Sequence, residues 1–233
     1  MKLVLGISTS TPRGSVALVG AGRVLGLATH EVLEAHAEAL FSLIDEALAQ
    51  AGASRTDLCG VACDVGPGSF TGVRVGVASA AGVAAALGLE TVSVGSLESM
   101  VHAALRARPH ERVARIAAVL DAKKGEVYLG SYDRAGHPLA SSRHLSRAEA
   151  QAELEAWAAE ADTRIVGAVA LELGSLGTSP AIVRAPAADL PCASSVALVG
   201  EAWLSEKRAL GPLKPVYVRE PDAKPSFGPA IPR

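Results

Sequence analysis

The sequence predicts an α/β protein of two lobes, each built on a mixed sheet, with a cleft between them. Two observations carry that expectation. The order three strands, helix, strand, helix occurs twice along the 233 residues, and a polar stretch at 106–112 containing Pro109 parts the two copies. The copies share no residue-by-residue match; what repeats is the order of elements. The expected division is a first lobe at 1–107, a second at 108–219, and a Pro- and Gly-rich tail at 220–233 that frays.

In the first copy, KLVLGIS (2–8) reads as a strand running into the polar cluster Ser8-Thr9-Ser10-Thr11. SVALVG (15–20) and RVLGLAT (23–29) follow as strands around a tight Gly20-Ala21-Gly22 turn, which makes a meander. Residues 31–51 place Leu33, Leu40, Leu43, Ile44, Ala47 and Leu48 at helical spacing, and Gly52 suits the C-terminal cap. LCGVACDV (58–65) is a buried strand. The segment GPGSFTGVRVGVASAAGVAAALG (66–88) is a turn followed by a helix whose one charge is Arg74. Strand 91–94 and helix 96–106 complete the copy.

In the second copy, RIAAVLDA (115–122) and VYLGSY (127–132) are strands joined by a KKGE hairpin, with a third strand expected near 139–145. Ser146 and Glu149 form a capping box ahead of helix 147–161. Strand 164–169, a short strand 181–185, helix 193–207 and strand 215–219 follow.

Composition narrows the function. With 49% hydrophobic residues the lobes can have real cores. The net charge is −2, no run of Lys and Arg exceeds two, and aromatics are 3%, so the chain alone is a poor grip for a phosphate backbone or for unpaired bases. Cys59, Cys63 and Cys192 lack metal-ligand spacing and read as reduced thiols. The apolar run MKLVLGIS ends at a polar cluster without the longer segment and cleavage site of a secretion signal, so a cytoplasmic location is expected. The uncharged window 75–89 is shorter than the ~20 residues of a membrane span and is mostly Ala and Gly.

No catalytic set is complete. The turn at 66–72 could hold an anion at a helix N-terminus, with Ser69 and Thr71 capping the first turn, but GPGSFTG is neither GxGxxG nor GxxxxGK[ST]. Its glycines could equally serve backbone angles that other residues resist. A two-lobed phosphotransferase needs carboxylates in its cleft to hold magnesium. The first strand ends in Ser8 instead, Asp64 ends another strand, and Asp121 beside Lys123 and Lys124 fits either a nucleotide contact or plain hairpin geometry. HEVLE (30–34) lacks the second histidine of a zinc-protease helix. His36 lies on the apolar helix face, as a core histidine or a register-setter in a helix–helix contact.

The block GPGSFTGVRVG (66–76) resembles the TsaB (YeaZ) family, the non-catalytic subunit of the bacterial machinery that makes threonylcarbamoyladenosine in tRNA. DAKKGEVY (121–128), KPVYVR (214–219) and the ISTST…SVAL opening support it in the family's order. The resemblance implies two ribonuclease-H-like lobes of the actin/hexokinase-like superfamily, and a scaffold role. The catalytic relative TsaD carries a metal-binding HxxxH where this chain has VGSLESM (94–100), so Ser96 and Met100 stand at the histidine places. Ser8 departs from the usual family Asp, which weakens any nucleotide binding by this lobe.

The resemblance further implies pairing through the first two helices, with a TsaD-like paralogue or as a homodimer when the partner is absent. The faces assigned to that contact are Leu33, His36, Leu40, Ile44, Gly68, Gly72, Arg74 and Gly76. TsaD then transfers threonylcarbamoyl to the adenosine beside the anticodon of tRNAs reading codons that begin with A. A TsaE-like ATPase docks on the pair, and tRNA is met only indirectly. No cofactor of the chain's own is expected; ATP or ADP enters only at the joint interface, with Ser69, Asp121 and Lys123 as residual nucleotide or anion contacts. The alternatives are an ATPase or phosphotransferase of the same fold, and a peptidase, an old family label that predicts cleavage inhibited by chelators.

Overall fold

The computed structural model describes residues 2–31, 36–109, 113–173, 181–182, 186–208 and 210–219. The first copy forms β1 (Leu3–Ser8), β2 (Gly14–Gly20), β3 (Arg23–His30), α1 (His36–Ala51), β4 (Leu58–Asp64), α2 (Phe70–Leu87), β5 (Glu90–Val94) and α3 (Ser96–Ala107). The second forms β6 (Arg115–Lys123), β7 (Glu126–Tyr132), β8 (Arg143–Ser146), α4 (Arg147–Glu160), β9 (Thr163–Val166), α5 (Pro186–Asp189) and α6 (Ala193–Glu206).

Both sheets are mixed, as the element order predicts. The first runs β3-β2-β1-β4-β5, with the meander antiparallel and β1/β4 and β4/β5 parallel. The second runs β8-β7-β6-β9, with only β6/β9 parallel. Parallel neighbours need a crossover, and the intervening helices supply it. The strand ends therefore gather their loops on one side, which builds a cleft.

Each sheet is covered on both faces, and the covering helices are exchanged between the copies. On the first sheet, α1 and α2 pack over Leu3, Leu5, Ile7, Val16, Leu18, Val61 and Cys63. The opposite face takes α6 through Val196, Val199 and Trp203. The approach of α6 is close because Gly6 lacks a side chain: a Cβ there would stand 2.6 Å from the Cβ of Ala197. On the second sheet, α3 packs Leu97, Met100, Val101 and Ala104 against Ile116, Ala118 and Leu120. The other face takes α4 through Ala150 and Leu154. The 107/108 division therefore separates the sheets but not the helices, since α3 covers the second sheet and α6 the first.

Several expectations shift. The third strand of the second sheet is Arg143–Ser146 rather than 139–145. Strand 164–169 stops at Val166, because Gly167 turns at φ 118 into a short 3-10 helix. Of the expected strand 181–185, Ile182 bridges Ile165 and residues 183–185 lie outside the described part. Residues 215–219 form no strand: the apolar alternation is there, but Pro215 has no N–H for a ladder. Val216 instead donates its N–H to the Val65 carbonyl at 2.7 Å, strapping the segment over the turn before α2.

Candidate functional site

A cleft of about 840 Å³ lies between the lobes. Its walls are the β1–β2 loop (10–13), the start of α2 (67–70), the β6–β7 hairpin with Asp121, Lys123 and Lys124, and residues 216–219. Ser69 sits at the head of α2 as predicted: its Oγ accepts from the Gly72 N–H at 3.2 Å, while its own N–H donates to the Ser10 carbonyl at 2.7 Å. Thr71 is exposed in the first turn.

Behind the cleft floor lies a buried carboxylate. Asp64 is 1% exposed at the end of β4. One oxygen accepts from the Ser8 hydroxyl at 2.8 Å and from Ser10; the other accepts from the Gly66 N–H at 3.0 Å and from the Ser96 hydroxyl. Burial pushes the carboxyl above the usual range, and the four donors partly offset that rise. This one group ties together β1, the β1–β2 loop, the turn before α2 and the start of α3. Nothing in the spacing of Ser8, Ser10, Asp64 and Ser96 announces the cluster, because it forms across parallel strands and a crossover.

Asp121 occupies a hairpin setting. The turn needs left-handed backbone at Lys123, Lys124 and Gly125, with φ of 67, 54 and 77. Asp121 accepts from the Lys123 N–H at 3.2 Å and pairs with its ammonium at 3.0 Å. Arg147 lies 3.7 Å away. At the start of α3, Ser96 serves Asp64, and one turn on Met100 is fully buried in the second core. Among the described residues no three of His, Cys, Asp and Glu are grouped to hold a metal.

The helix pair requires a correction. Leu40 and Ile44 are 1% and 4% exposed and belong to the first lobe's own core, so they are not surface. Gly72 and Gly76 also face inward. The Thr9 hydroxyl donates to the Gly72 carbonyl at 2.7 Å, and a Cβ on either glycine would collide with Thr9. Gly68 likewise abuts Ser10. Gly68, Gly72 and Gly76, spaced four apart, thus admit the β1–β2 loop against α2. Leu33 lies outside the described residues, as does the side chain of His36, which begins α1.

What α2 turns outward is a second small-residue stripe: Arg74, Ala78, Ala81, Gly82 and Ala85 are exposed. Arg74, alone of the predicted set, lies on it. Its guanidinium stacks over Phe70 at 3.8 Å and donates to the Tyr217 hydroxyl at 2.9 Å. Beside it, α1 exposes Phe41 at 58% together with Asp45 and Glu46. By length and composition α2 could cross a membrane, yet its inner face packs in the first core.

The family model described as "TsaD: tRNA N6-adenosine threonylcarbamoyltransferase" matches residues 24–170, more than half of the chain. The tRNA threonylcarbamoyladenosine biosynthesis protein TsaB of Escherichia coli is 36% identical over 134 residues, 56% of this chain and 55% of that protein. An uncharacterized protein of Mycobacterium tuberculosis is 30% identical over 95% of this chain and 94% of its own length. The structure of YeaZ from Pseudomonas aeruginosa superposes with a TM-score of 0.70 at 27% identity, covering 92% of this chain and all of that one. The chain belongs to the TsaB (YeaZ) family. Its match spans about half the length of the E. coli family member. An activator of 2-hydroxyisocaproyl-CoA dehydratase from Clostridium difficile shares the fold, with a TM-score of 0.53 at 11% identity. The exchanged helices and the interlobe cleft are the form this shared fold takes in the chain.

Proposed function

We propose that this chain serves threonylcarbamoyladenosine biosynthesis in tRNA as a non-catalytic scaffold, held by a TsaD-like paralogue that performs the transfer. The observation that carries the reading is the outward face of α2 beside α1. A helix lined by Ala78, Ala81, Gly82 and Ala85 lets another backbone approach closely, so dispersion contacts accumulate across the interface. Phe41 and Phe70, exposed at 58% and 41%, are large apolar groups suited to become buried anchors there. The filling of the HxxxH places by Ser96 and Met100 supports a role in which the chemistry belongs to the partner. In this reading the same face pairs two copies when the paralogue is absent, a TsaE-like ATPase docks on the heterodimer, and tRNA is contacted through the partners.

The test is reconstitution. A TsaD-like paralogue and a TsaE-like ATPase are assayed for threonylcarbamoyl transfer to tRNA with and without this chain. Modification is expected only when the chain is present, with no magnesium-dependent ATP turnover or chelator-sensitive peptide cleavage by the chain alone. Full modification without it, or either activity by the isolated chain at an enzymatic rate, refutes the scaffold role.

A further inference from the structure

We propose that Arg74 is the charged recognition point on the outward face of α2, and that the docking paralogue supplies a side-chain carboxylate to it. The inference rests on the scaffold reading above and adds the chemistry by which the partner is chosen. Arg74 is the one charged residue of α2. It stands at the head of the exposed stripe, one turn before Ala78, with Ala81, Gly82 and Ala85 beyond. Small residues there bring a partner's backbone close, so a docked partner covers the guanidinium as well.

The guanidinium is held in place before any partner arrives. Phe70, one turn earlier, lies against it, with Cζ 3.8 Å from the ring centroid. Nε donates to the Tyr217 hydroxyl at 2.9 Å, and the Tyr217 and Phe70 rings stand 5.1 Å apart. Tyr217 is fixed in turn by its neighbours. Val216 donates to the Val65 carbonyl, and Arg219 donates to the Ala122 carbonyl at 3.1 Å and pairs with Glu126 at 3.2 Å. Tyr217 is thus a positioning residue for Arg74. The Nη1 and Nη2 groups remain as the open edge of the fork: among the described residues neither has a hydrogen bond or an ion pair. An arginine already immobilised loses little side-chain entropy when that edge is used.

Covering that edge with apolar atoms alone would strand cationic donors away from water, at a large cost in free energy. The partner surface therefore has to bring an acceptor. A carboxylate accepts two parallel N–H bonds from the fork and cancels its charge, which a backbone carbonyl does not. A nucleic-acid backbone suits the face less well, because it is gripped by several cations along its length and the remainder of the exposed stripe is uncharged.

The experiment measures the affinity of the full chain for a TsaD-like paralogue by surface plasmon resonance, in about 50 mM and about 500 mM salt. Arg74→Gln is expected to weaken binding at least about tenfold in low salt, with an unchanged melting temperature. Arg74→Glu should bind at least about tenfold more weakly still, through like-charge repulsion, and that gap should narrow in high salt. Tyr217→Phe keeps the ring and removes the acceptor; it should weaken binding about two- to fivefold, and not at all when Arg74 is already Gln. Equal affinity of wild type and Arg74→Gln, or of Arg74→Gln and Arg74→Glu, overturns the proposal. Arg74-dependent binding of tRNA to the chain alone, read by gel shift, overturns it too. Ala81→Arg separates this inference from the reading beneath it. If Ala81→Arg abolishes association while Arg74→Gln binds like wild type, the docking face stands and the carboxylate contact falls; if wild type does not associate, both fall.

Discussion

Two glycines ten residues apart on α2 should respond oppositely to the same substitution. At Gly72 an added Cβ would run into the Thr9 carbonyl oxygen, a backbone atom that can yield only by moving the β1–β2 loop. That movement also disturbs the Thr9 hydroxyl bond to the Gly72 carbonyl, 2.7 Å long and buried. Overpacking costs roughly 1–3 kcal/mol and the hydrogen bond about 1 kcal/mol, against a gain of about 1 kcal/mol in helix propensity for Gly→Ala. The net loss is roughly 1–3 kcal/mol, which in a chain of this size lowers the melting temperature by roughly 3–10 °C. At Gly82 a Cβ meets nothing within 4 Å, so Gly82→Ala keeps only the propensity gain and should raise the melting temperature by roughly 2–4 °C. Thermal unfolding followed by circular dichroism reads both. A neutral Gly72→Ala, or a destabilised Gly82→Ala, would refute the assignment of inner and outer faces to this helix.

Three further outcomes are expected. Burial, with the nearby charges of Arg106, Arg208 and His137, lowers His102 from 6.5 to about 4, so the native state disfavours its protonated form. That stability is complete above the unfolded value and is lost as pH falls from 6.5 toward 4; chemical denaturation across this window should show His102→Gln losing less than wild type. Asp64→Ala leaves the hydroxyls of Ser8, Ser10 and Ser96 without their acceptor and should cost about 2–4 kcal/mol in urea unfolding, whereas an exposed carboxylate such as Asp45 should cost under about 0.5 kcal/mol. Ser146→Ala breaks the reciprocal cap with Glu149, whose carboxylate accepts the Ser146 N–H at 2.9 Å, and should destabilise by about 1 kcal/mol in the same assay.

Much of the fold was legible because local signals and tertiary structure agree. The meander, the crossover helices and the Ser146 capping box follow from apolar period and cap chemistry, and the first sheet pairs as that order demands. Other features were illegible for particular reasons. Helix α6 has apolar residues on several faces, and its place on the first sheet is set by close approach at Gly6 and Gly200, which no periodicity records. The two faces of α2 both carry small residues, so spacing alone could not say which one meets the sheet; Thr9, distant in sequence, decides it. Segment 215–219 alternates like a strand but is fixed by one backbone bond to Val65 and by Tyr217 on Arg74. Turn chemistry located the cap at Ser69 and the hairpin at Asp121 and Lys123, while the shared acceptor Asp64 was illegible, since Ser8, Ser10 and Ser96 meet it only across parallel strands and a crossover.

The most direct test of the scaffold role is size-exclusion chromatography of this chain mixed with a TsaD-like paralogue, comparing wild type with Ala81→Arg. Ala81 is exposed on the outward stripe, so the substitution leaves the first core untouched. A stable heterodimer is expected with wild type and separate peaks with Ala81→Arg, at an unchanged melting temperature. An intact heterodimer with Ala81→Arg would contradict the scaffold role through this face.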